Sequence, residues 1–110
     1  MVVDDHDLSR QHTVQALRQI ACRVKQAAHG RAALKMARYF QPELIFLDLH
    51  LPDMDGHVLL QQVLEVWPES EEKPAFVFLT GDSSAASRTD LKALNPCAIL
   101  TKPVSRNDIT

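Results

Sequence analysis

Four short apolar runs in the sequence each end in polar residues, and this repeated arrangement most restricts the fold. The runs span residues 1–3, 44–47, 76–79 and 98–100, and the groups that follow them are Asp4 with Asp5, Asp48, Thr80 and, after Thr101, Lys102. Short, wholly apolar runs are typical of strands buried on both faces of a parallel sheet. The carboxyl ends of such strands face one crevice, where ligands bind. We therefore expect carboxylate, hydroxyl and ammonium groups around one point, a set that suits a divalent cation and a phosphoryl group.

Amphipathic stretches separate the apolar runs and predict helices between the strands. Helical patterns occupy residues 8–21, 56–66 and 84–94, another begins after Gly30 and stops at Pro42, and a weak strand pattern lies at residues 23–28. The pattern at 56–66 places four residues inward: Leu59, Leu60, Val63 and Val66. Strands joined through helices imply right-handed parallel crossovers, and therefore a three-layer α/β sandwich. Five strands at this spacing fit the flavodoxin-like order 2-1-3-4-5.

Length and composition favour one ordinary globular domain covering residues 1–110. Hydrophobic residues make up 45% of the chain and charged residues 24%, as in soluble proteins. The net charge of -2 argues against direct nucleic-acid binding, since such surfaces concentrate Lys and Arg. We see no membrane-span or signal-peptide pattern, and so expect a cytoplasmic protein. Residues 104–108 look like the start of a fifth helix, most of which we expect to be missing from this chain.

The cysteines and most histidines give no sign of a metal site. Cys22 and Cys97 form no CxxC motif, and we interpret them as buried, reduced thiols, with a disulfide or metal pair as the alternative. Four histidines show no metal-ligand spacing and are interpreted as surface residues: His6, His12, His29 and His57.

Five short motifs together resemble the receiver domain of two-component response regulators. They are Val2-Val3-Asp4-Asp5, Leu47-Asp48, Leu51-Pro52-Asp53-Met54-Asp55-Gly56, Leu79-Thr80-Gly81 and Leu100-Thr101-Lys102-Pro103. Each motif alone is weak, but all of them in this order at domain-scale spacing form a strong signal. The resemblance covers essentially the whole chain. It implies that a histidine kinase or phosphotransfer protein phosphorylates the Asp48 carboxylate, with Mg²⁺ required.

The resemblance also implies how the metal would be bound. Asp5 and Asp48 would bind Mg²⁺ directly, and the backbone carbonyl of His50 would complete the protein ligands. Asp4 would act through water. The chemistry is consistent, because neighbouring carboxylates repel each other and an incoming phosphoryl group. Mg²⁺ prefers one or two carboxylates together with water and phosphate oxygens.

The remaining groups would contact the transferring phosphoryl group. The family implies that Asp48 is the nucleophile and becomes an acyl phosphate. Lys102 would supply a point charge to the transferring oxygens. The Thr80 hydroxyl and the Gly81 N–H would donate to the same group, and Gly81 has no Cβ to obstruct the approach. The domain would then be regulatory, catalysing only its own phosphorylation and dephosphorylation.

The family implies partners and a switch as well. The partners would be a histidine kinase or phosphotransfer protein and an output domain or effector, and a homodimer is compatible with the resemblance. Residues 8–14 would meet the phosphodonor, while His50 and Asp82 stand where members tune the phosphoryl lifetime. One departure concerns the aromatic residue expected three positions before Lys102, which here is Ile99. We therefore expect the switch to move the loop at 81–84 and the following helix without a ring rotation.

The sequence permits two other interpretations. Asp53-Met54-Asp55-Gly56 matches the D-x-D-G of haloacid-dehalogenase-like phosphatases, which place their nucleophilic Asp at a strand end. Here the apolar run ends at Asp48 and Pro52 intervenes, so we interpret Asp53 and Asp55 as turn residues, with Asp55 able to cap the third helix. The other interpretation is a receiver domain that docks onto proteins without phosphorylation. The intact set of acidic residues, Thr80 and Lys102 argues against it.

Overall fold

The computed structural model describes residues 1–20, 23–68, 72–81, 96 and 98–102 of the chain. Its elements in order are β1 Val2–Val3, α1 Asp7–Arg18, β2 Gln26–Ala27, α2 Gly30–Phe40, β3 Leu44–Asp48, α3 Gly56–Val66, β4 Ala75–Thr80 and β5 Ala98–Thr101. The strands form one parallel sheet of order β2-β1-β3-β4-β5, which confirms the predicted flavodoxin-like topology. The helices predicted at 84–94 and from 104 onward, Asp82 and both cysteines lie outside the described residues.

The central strands are buried on both faces, as their apolar sequences predict. Alternate side chains of β3 enter different clusters: Ile45 and Leu47 pack with residues of α2 and α3, and Phe46 packs with residues of α1. The same alternation runs along β4, where Phe78 faces α2 and α3 and Leu79 faces α1. Burying a side chain of this size contributes roughly 1.5–3 kcal/mol. These two clusters define the helix–sheet–helix layers of the predicted sandwich.

Several element boundaries differ from the predictions for local reasons. Helix α1 ends at Arg18 because the chain tightens there, with the Ile20 N–H donating to the Leu17 carbonyl at 2.9 Å. At the end of α3, Val66 is 41% exposed, so its predicted inward position is wrong. The neighbouring Trp67 takes that place and donates from Nε1 to the Glu72 carbonyl at 3.0 Å.

Strands β3, β4 and β5 each extend one residue beyond the apolar run that predicted them, and include the polar residue that follows it. β3 includes Asp48, β4 includes Thr80 and β5 includes Thr101. The ladder continues past the apolar residues because backbone pairing does not depend on side-chain polarity, and the Lys102 N–H still donates to the Thr80 carbonyl at 2.8 Å. Asp48 and Thr80, two of the predicted site residues, therefore belong to the strands themselves. No helix among the described residues is long and apolar enough to cross a bilayer.

Candidate functional site

The parallel register brings the predicted polar groups to one edge of the sheet. Val3 pairs with Leu47, and Thr80 pairs with Thr101, so the residues that follow each pair emerge side by side. An open crevice of about 580 Å³ lies there, lined by His6, Leu8, Ser9, His12, Asp48, His50, Gly81 and Lys102. The buried polar residues of the described chain are Asp4, Thr13, Asp48 and Thr80. All but Thr13 stand among the polar groups predicted for this site, so polar burial is concentrated here.

Lys102 is the cation at the centre of this arrangement. Its Nζ lies 2.7 Å from Asp48 Oδ2 and 3.1 Å from Asp4 Oδ2. Burial alone would lower the pKa of the Lys102 ammonium, but the two carboxylates outweigh burial and raise it. Lys102 therefore stays charged and compensates part of the buried negative charge.

The two carboxyls beside Lys102 differ in basicity. Burial raises the pKa of Asp48, and neither the Lys102 contact nor the His50 N–H, which donates to Asp48 Oδ1 at 3.1 Å, reverses that effect. Burial acts in the same direction on Asp4, but hydrogen bonds from Ser9 and the His6 N–H, together with Lys102, outweigh it and lower the pKa of Asp4. Neighbouring carboxyls whose pKa values are pushed apart are suited to different chemical roles.

The acidic cluster fits a divalent cation. Donor atoms of Asp4, Asp5, His6 and Asp48, one from each residue, all lie within 4.8 Å of one another. Within the described chain, Asp4 Oδ2 and Asp5 Oδ1 are buried without a hydrogen-bond partner, although Lys102 Nζ lies at ion-pair distance from Asp4 Oδ2 and His6 Nδ1 lies at ion-pair distance from Asp5 Oδ1. Buried carboxylate oxygens without partners are costly. A hard cation such as Mg²⁺ would satisfy them.

The loop after β3 holds the backbone of Asp48 in place. The Gly56 N–H donates to the Leu49 carbonyl at 2.8 Å, and the Leu51 N–H donates to the Met54 carbonyl at 3.1 Å. A Cβ on Gly56 would lie 2.3 Å from the carbonyl oxygen of Asp48, closer than atoms can approach. Glycine at this position therefore allows the start of α3 to pack directly against the end of β3.

Asp53 has a role that the sequence did not reveal. Its Oδ1 accepts from the Gly30 N–H at 2.8 Å and its Oδ2 from the Arg31 N–H at 2.9 Å, so Asp53 caps α2 from a distant loop. These backbone donors outweigh the effect of burial and lower the pKa of Asp53. Asp55 occupies the predicted N-cap position of α3, but within the described chain its side chain makes no capping hydrogen bond. Asp53 lies in a loop, as its interpretation as a turn residue expects, and in addition it caps α2.

His6 also has a position that its sequence spacing did not predict. Its side chain is 72% exposed, as a surface residue would be, yet Nδ1 lies 3.2 Å from Asp5 Oδ1 and 3.5 Å from Asp4 Oδ1. The only signal in the sequence was its position directly after Asp4-Asp5. His6 therefore stands at the rim of the acidic cluster.

The remaining predicted residues lie around the crevice or just behind it. Thr80 is buried at the end of β4, while Gly81 lines the crevice and has no described atom within 4 Å of an added Cβ. Leu8, at the predicted phosphodonor face, is 85% exposed. Ile99 is partly buried and packs against the cluster that contains Phe78. The described part of the predicted switch loop is Gly81 alone.

Comparison with known proteins gives one consistent result. The family model described as response regulator receiver domain matches residues 1–110. The chain is 31% identical over 114 residues to the positive alginate biosynthesis regulatory protein of Pseudomonas aeruginosa, covering 99% of this chain and 43% of that protein. A receiver domain structure from Methylobacillus flagellatus aligns with a TM-score of 0.85 at 22% identity, over 98% of this chain and 88% of that one. A response regulator protein from Burkholderia pseudomallei, with a phosphorylated aspartic acid, calcium ion and citrate, aligns with a TM-score of 0.79 at 27% identity, over 98% and 61% of the two chains.

The chain is much shorter than its curated relatives. It spans 43% of the Pseudomonas regulator and between 11% and 39% of five other curated proteins that it matches. The family match nevertheless runs from one end of the chain to the other, and the sheet order agrees with it. The chain therefore belongs to the response regulator receiver domain family.

Proposed function

We propose that Asp48 accepts a phosphoryl group from a phosphohistidine in a Mg²⁺-dependent reaction, and that the resulting acyl phosphate switches a partner or output domain. The observation that carries the proposal is the position of Asp48 at the rigid end of β3, with Lys102 Nζ at 2.7 Å and the acidic cluster beside it. The Asp48 carboxylate is buried at the foot of the open crevice, and burial raises its pKa, as suits a nucleophile.

The acidic cluster would hold the metal ion. Asp5 and Asp48 would be direct ligands, the His50 carbonyl would be the third protein ligand, and Asp4 would act through water. When bound, Mg²⁺ would supply charge neutralisation and a fixed orientation for the phosphoryl oxygens. The phosphorylated aspartate and calcium ion in the Burkholderia pseudomallei relative support this assignment by analogy.

Lys102 would change partners during the reaction. In the unphosphorylated structure its ammonium contacts both Asp48 Oδ2 and Asp4 Oδ2. A phosphoryl group carries about two negative charges at neutral pH, so it would draw the ammonium from the carboxylates to its own oxygens. Thr80 and the Gly81 N–H, at the end of β4, would donate to the same oxygens.

The protein partners would meet this edge of the sheet. Leu8 lies beside the crevice and is 85% exposed. A large apolar side chain in this position suits contact with the helical surface of a phosphodonor. The domain would act as the regulatory part of a longer cytoplasmic signalling protein, because the chain spans less than half of its curated relatives. Which output domain it controls would depend on sequence outside this chain.

Intact-mass measurement after incubation with a small phosphodonor and Mg²⁺ tests the proposal. The wild-type chain should gain one phosphoryl group that hydroxylamine removes, as expected for an acyl phosphate, and Asp48→Asn should gain none. Asp53→Asn is the matched control: it removes the nucleophile of the phosphatase interpretation and should be labelled like the wild type. Labelling of Asp48→Asn at Asp53 or Asp55 would favour the phosphatase, and an unlabelled wild type would favour the docking module.

The role of the metal is tested separately. Removing Mg²⁺ with a chelator should prevent the adduct. Asp5→Ala should do the same while leaving the circular dichroism spectrum unchanged, because the Asp5 side chain is 31% exposed and adds little to the core. An Asp5→Ala variant that titrates with Mg²⁺ like the wild type would contradict the assigned ligand set.

A further inference from the structure

His6 distinguishes this acidic cluster from a set of oxygen ligands alone. Its imidazole Nδ1 lies 3.2 Å from Asp5 Oδ1 and 3.5 Å from Asp4 Oδ1. Nitrogen and oxygen atoms that share one metal ion must be separated by a distance that depends on the ligand angle. Two donors that each lie about 2.1 Å from an ion are about 3.0 Å apart at an angle of about 90°, and about 3.4 Å apart at the tetrahedral angle.

We propose that His6 is a metal ligand of this site through Nδ1, and that it makes the site prefer borderline transition-metal ions such as Zn²⁺ over Mg²⁺. The inference rests on the proposed metal site and adds a ligand and a selectivity to it. The observed separation of 3.2 Å between His6 Nδ1 and Asp5 Oδ1 lies between the two values for adjacent ligands of one ion.

The other ligands of such an ion are already present. Asp5 Oδ1 is the best placed, because it is buried, has no hydrogen-bond partner in the described chain and lies nearest to His6. Asp48 belongs to the same group of donors within 4.8 Å. In an octahedral site, ligands on opposite sides of an ion are about 4.2 Å apart, so the widest pair of donors, separated by up to 4.8 Å, would close by up to about 0.6 Å. Added to Asp5, Asp48 and the His50 carbonyl, His6 would be the fourth protein ligand, and water would fill the remaining coordination positions.

The chemistry of the donors decides which ion is favoured. Mg²⁺ takes oxygen ligands almost exclusively and gains little from an imidazole. Zn²⁺, Ni²⁺ and Cu²⁺ bind imidazole well, whereas carboxylate, carbonyl and water oxygens suit Mg²⁺. Coordination through Nδ1 requires the tautomer with the proton on Nε2, and the His6 side chain is 72% exposed, so water can accept that hydrogen bond.

An opposite role for His6 predicts a different result. If the imidazole were instead a protonated counter-ion of Asp4 and Asp5, it would compete with every cation at the site. Removing the His6 side chain would then increase the affinity of the site for Mg²⁺ and would not lower its affinity for Zn²⁺. The two roles can therefore be separated by titrating one variant with two metals.

The experiment is calorimetric titration of the metal-free chain with Zn²⁺ and with Mg²⁺, comparing wild type, His6→Ala and His12→Ala. We expect His6→Ala to lower Zn²⁺ affinity by about tenfold or more, a loss typical of weakened metal coordination. Mg²⁺ affinity should change by less than about threefold. His12→Ala is the matched control, because His12 lines the same crevice and lies outside the acidic cluster. It should bind both ions like the wild type.

A spectroscopic readout reports the ligand directly. The Nδ1 resonance of His6 in a nitrogen-15 spectrum should shift with Zn²⁺ and stay unchanged with Mg²⁺. The inference is overturned if His6→Ala keeps wild-type Zn²⁺ affinity, if Mg²⁺ affinity rises instead, or if His12→Ala loses as much Zn²⁺ affinity as His6→Ala. Wild-type Mg²⁺ binding and Mg²⁺-dependent labelling of Asp48 test the proposed function alone, so the two failures are distinguishable.

Discussion

Replacing Asp53 should destabilise the domain through the start of a helix, α2, that lies more than twenty residues earlier in the sequence. Both carboxylate oxygens of Asp53 accept backbone N–H groups at the start of α2, from Gly30 at 2.8 Å and from Arg31 at 2.9 Å. Loss of a capping side chain costs about 0.5–2 kcal/mol. Loss of a negative charge near a helix N-terminus adds about 0.3–1 kcal/mol. Because the Asp53 side chain is 29% exposed, we expect Asp53→Ala to lower the free energy of unfolding by about 1–2 kcal/mol.

A short series of variants separates the hydrogen bonds from the charge. Asp53→Asn keeps one acceptor oxygen and loses the charge. Its free energy of unfolding should therefore fall by about half as much as that of Asp53→Ala. Asp55→Ala is the matched control, because that side chain is 57% exposed and makes no capping hydrogen bond to the described residues. Its effect should stay within about 0.5 kcal/mol. Urea denaturation at pH 7 measures all of these differences.

The pH dependence of the same difference gives an independent check. The pKa of Asp53 is lowered in the folded state from the ordinary value of 3.8, so the unfolded chain binds its proton first as the pH falls. The contribution of the charge is therefore complete above the unfolded pKa and is lost as the pH falls through the folded one. The difference in the free energy of unfolding between wild type and Asp53→Asn should be constant near neutral pH and should decrease in acid. A gap that persists unchanged below pH 3.8, or an equal loss in Asp55→Ala, would refute the capping argument.

Three further predictions concern the crevice and its walls. Gly56→Ala should cost about 1–3 kcal/mol in urea denaturation, because the new Cβ would lie 2.3 Å from the carbonyl oxygen of Asp48. Asp48→Asn should increase the free energy of unfolding at pH 7. Burial raises the folded pKa of Asp48, so its ionisation costs stability as the pH rises from the unfolded pKa through the folded one, and the gain should vanish in acid. Leu8 is 85% exposed beside the crevice, so Leu8→Ala should change the free energy of unfolding by no more than about 0.5 kcal/mol. The same variant should slow phosphotransfer from a protein donor more than it slows labelling by a small phosphodonor. Equal slowing with both donors would exclude a docking role for Leu8.

The sequence by itself determined the sheet and the composition of the site. Apolar runs on β3 and β4 specify strands buried on both faces, and the helical patterns between strands require parallel crossovers. Once the strands are parallel, their carboxyl ends must share an edge, so the meeting of Asp48 with Lys102 follows from the order of residues along the chain. These features depend on local periodicity and on a general rule of topology.

The tertiary structure alone decided the contacts that run between elements. Asp53 caps α2 because the loop after β3 folds over the start of that helix, and a cap supplied from a distant loop leaves no periodic signal. At the end of α3, Trp67 is buried in the core and Val66 is not, because packing decides which of the two side chains reaches the core there. The same applies to His6, whose distance to Asp5 Oδ1 is set by the turn between β1 and α1. Such contacts are fixed by the relative placement of whole elements, which packing determines and local sequence does not encode.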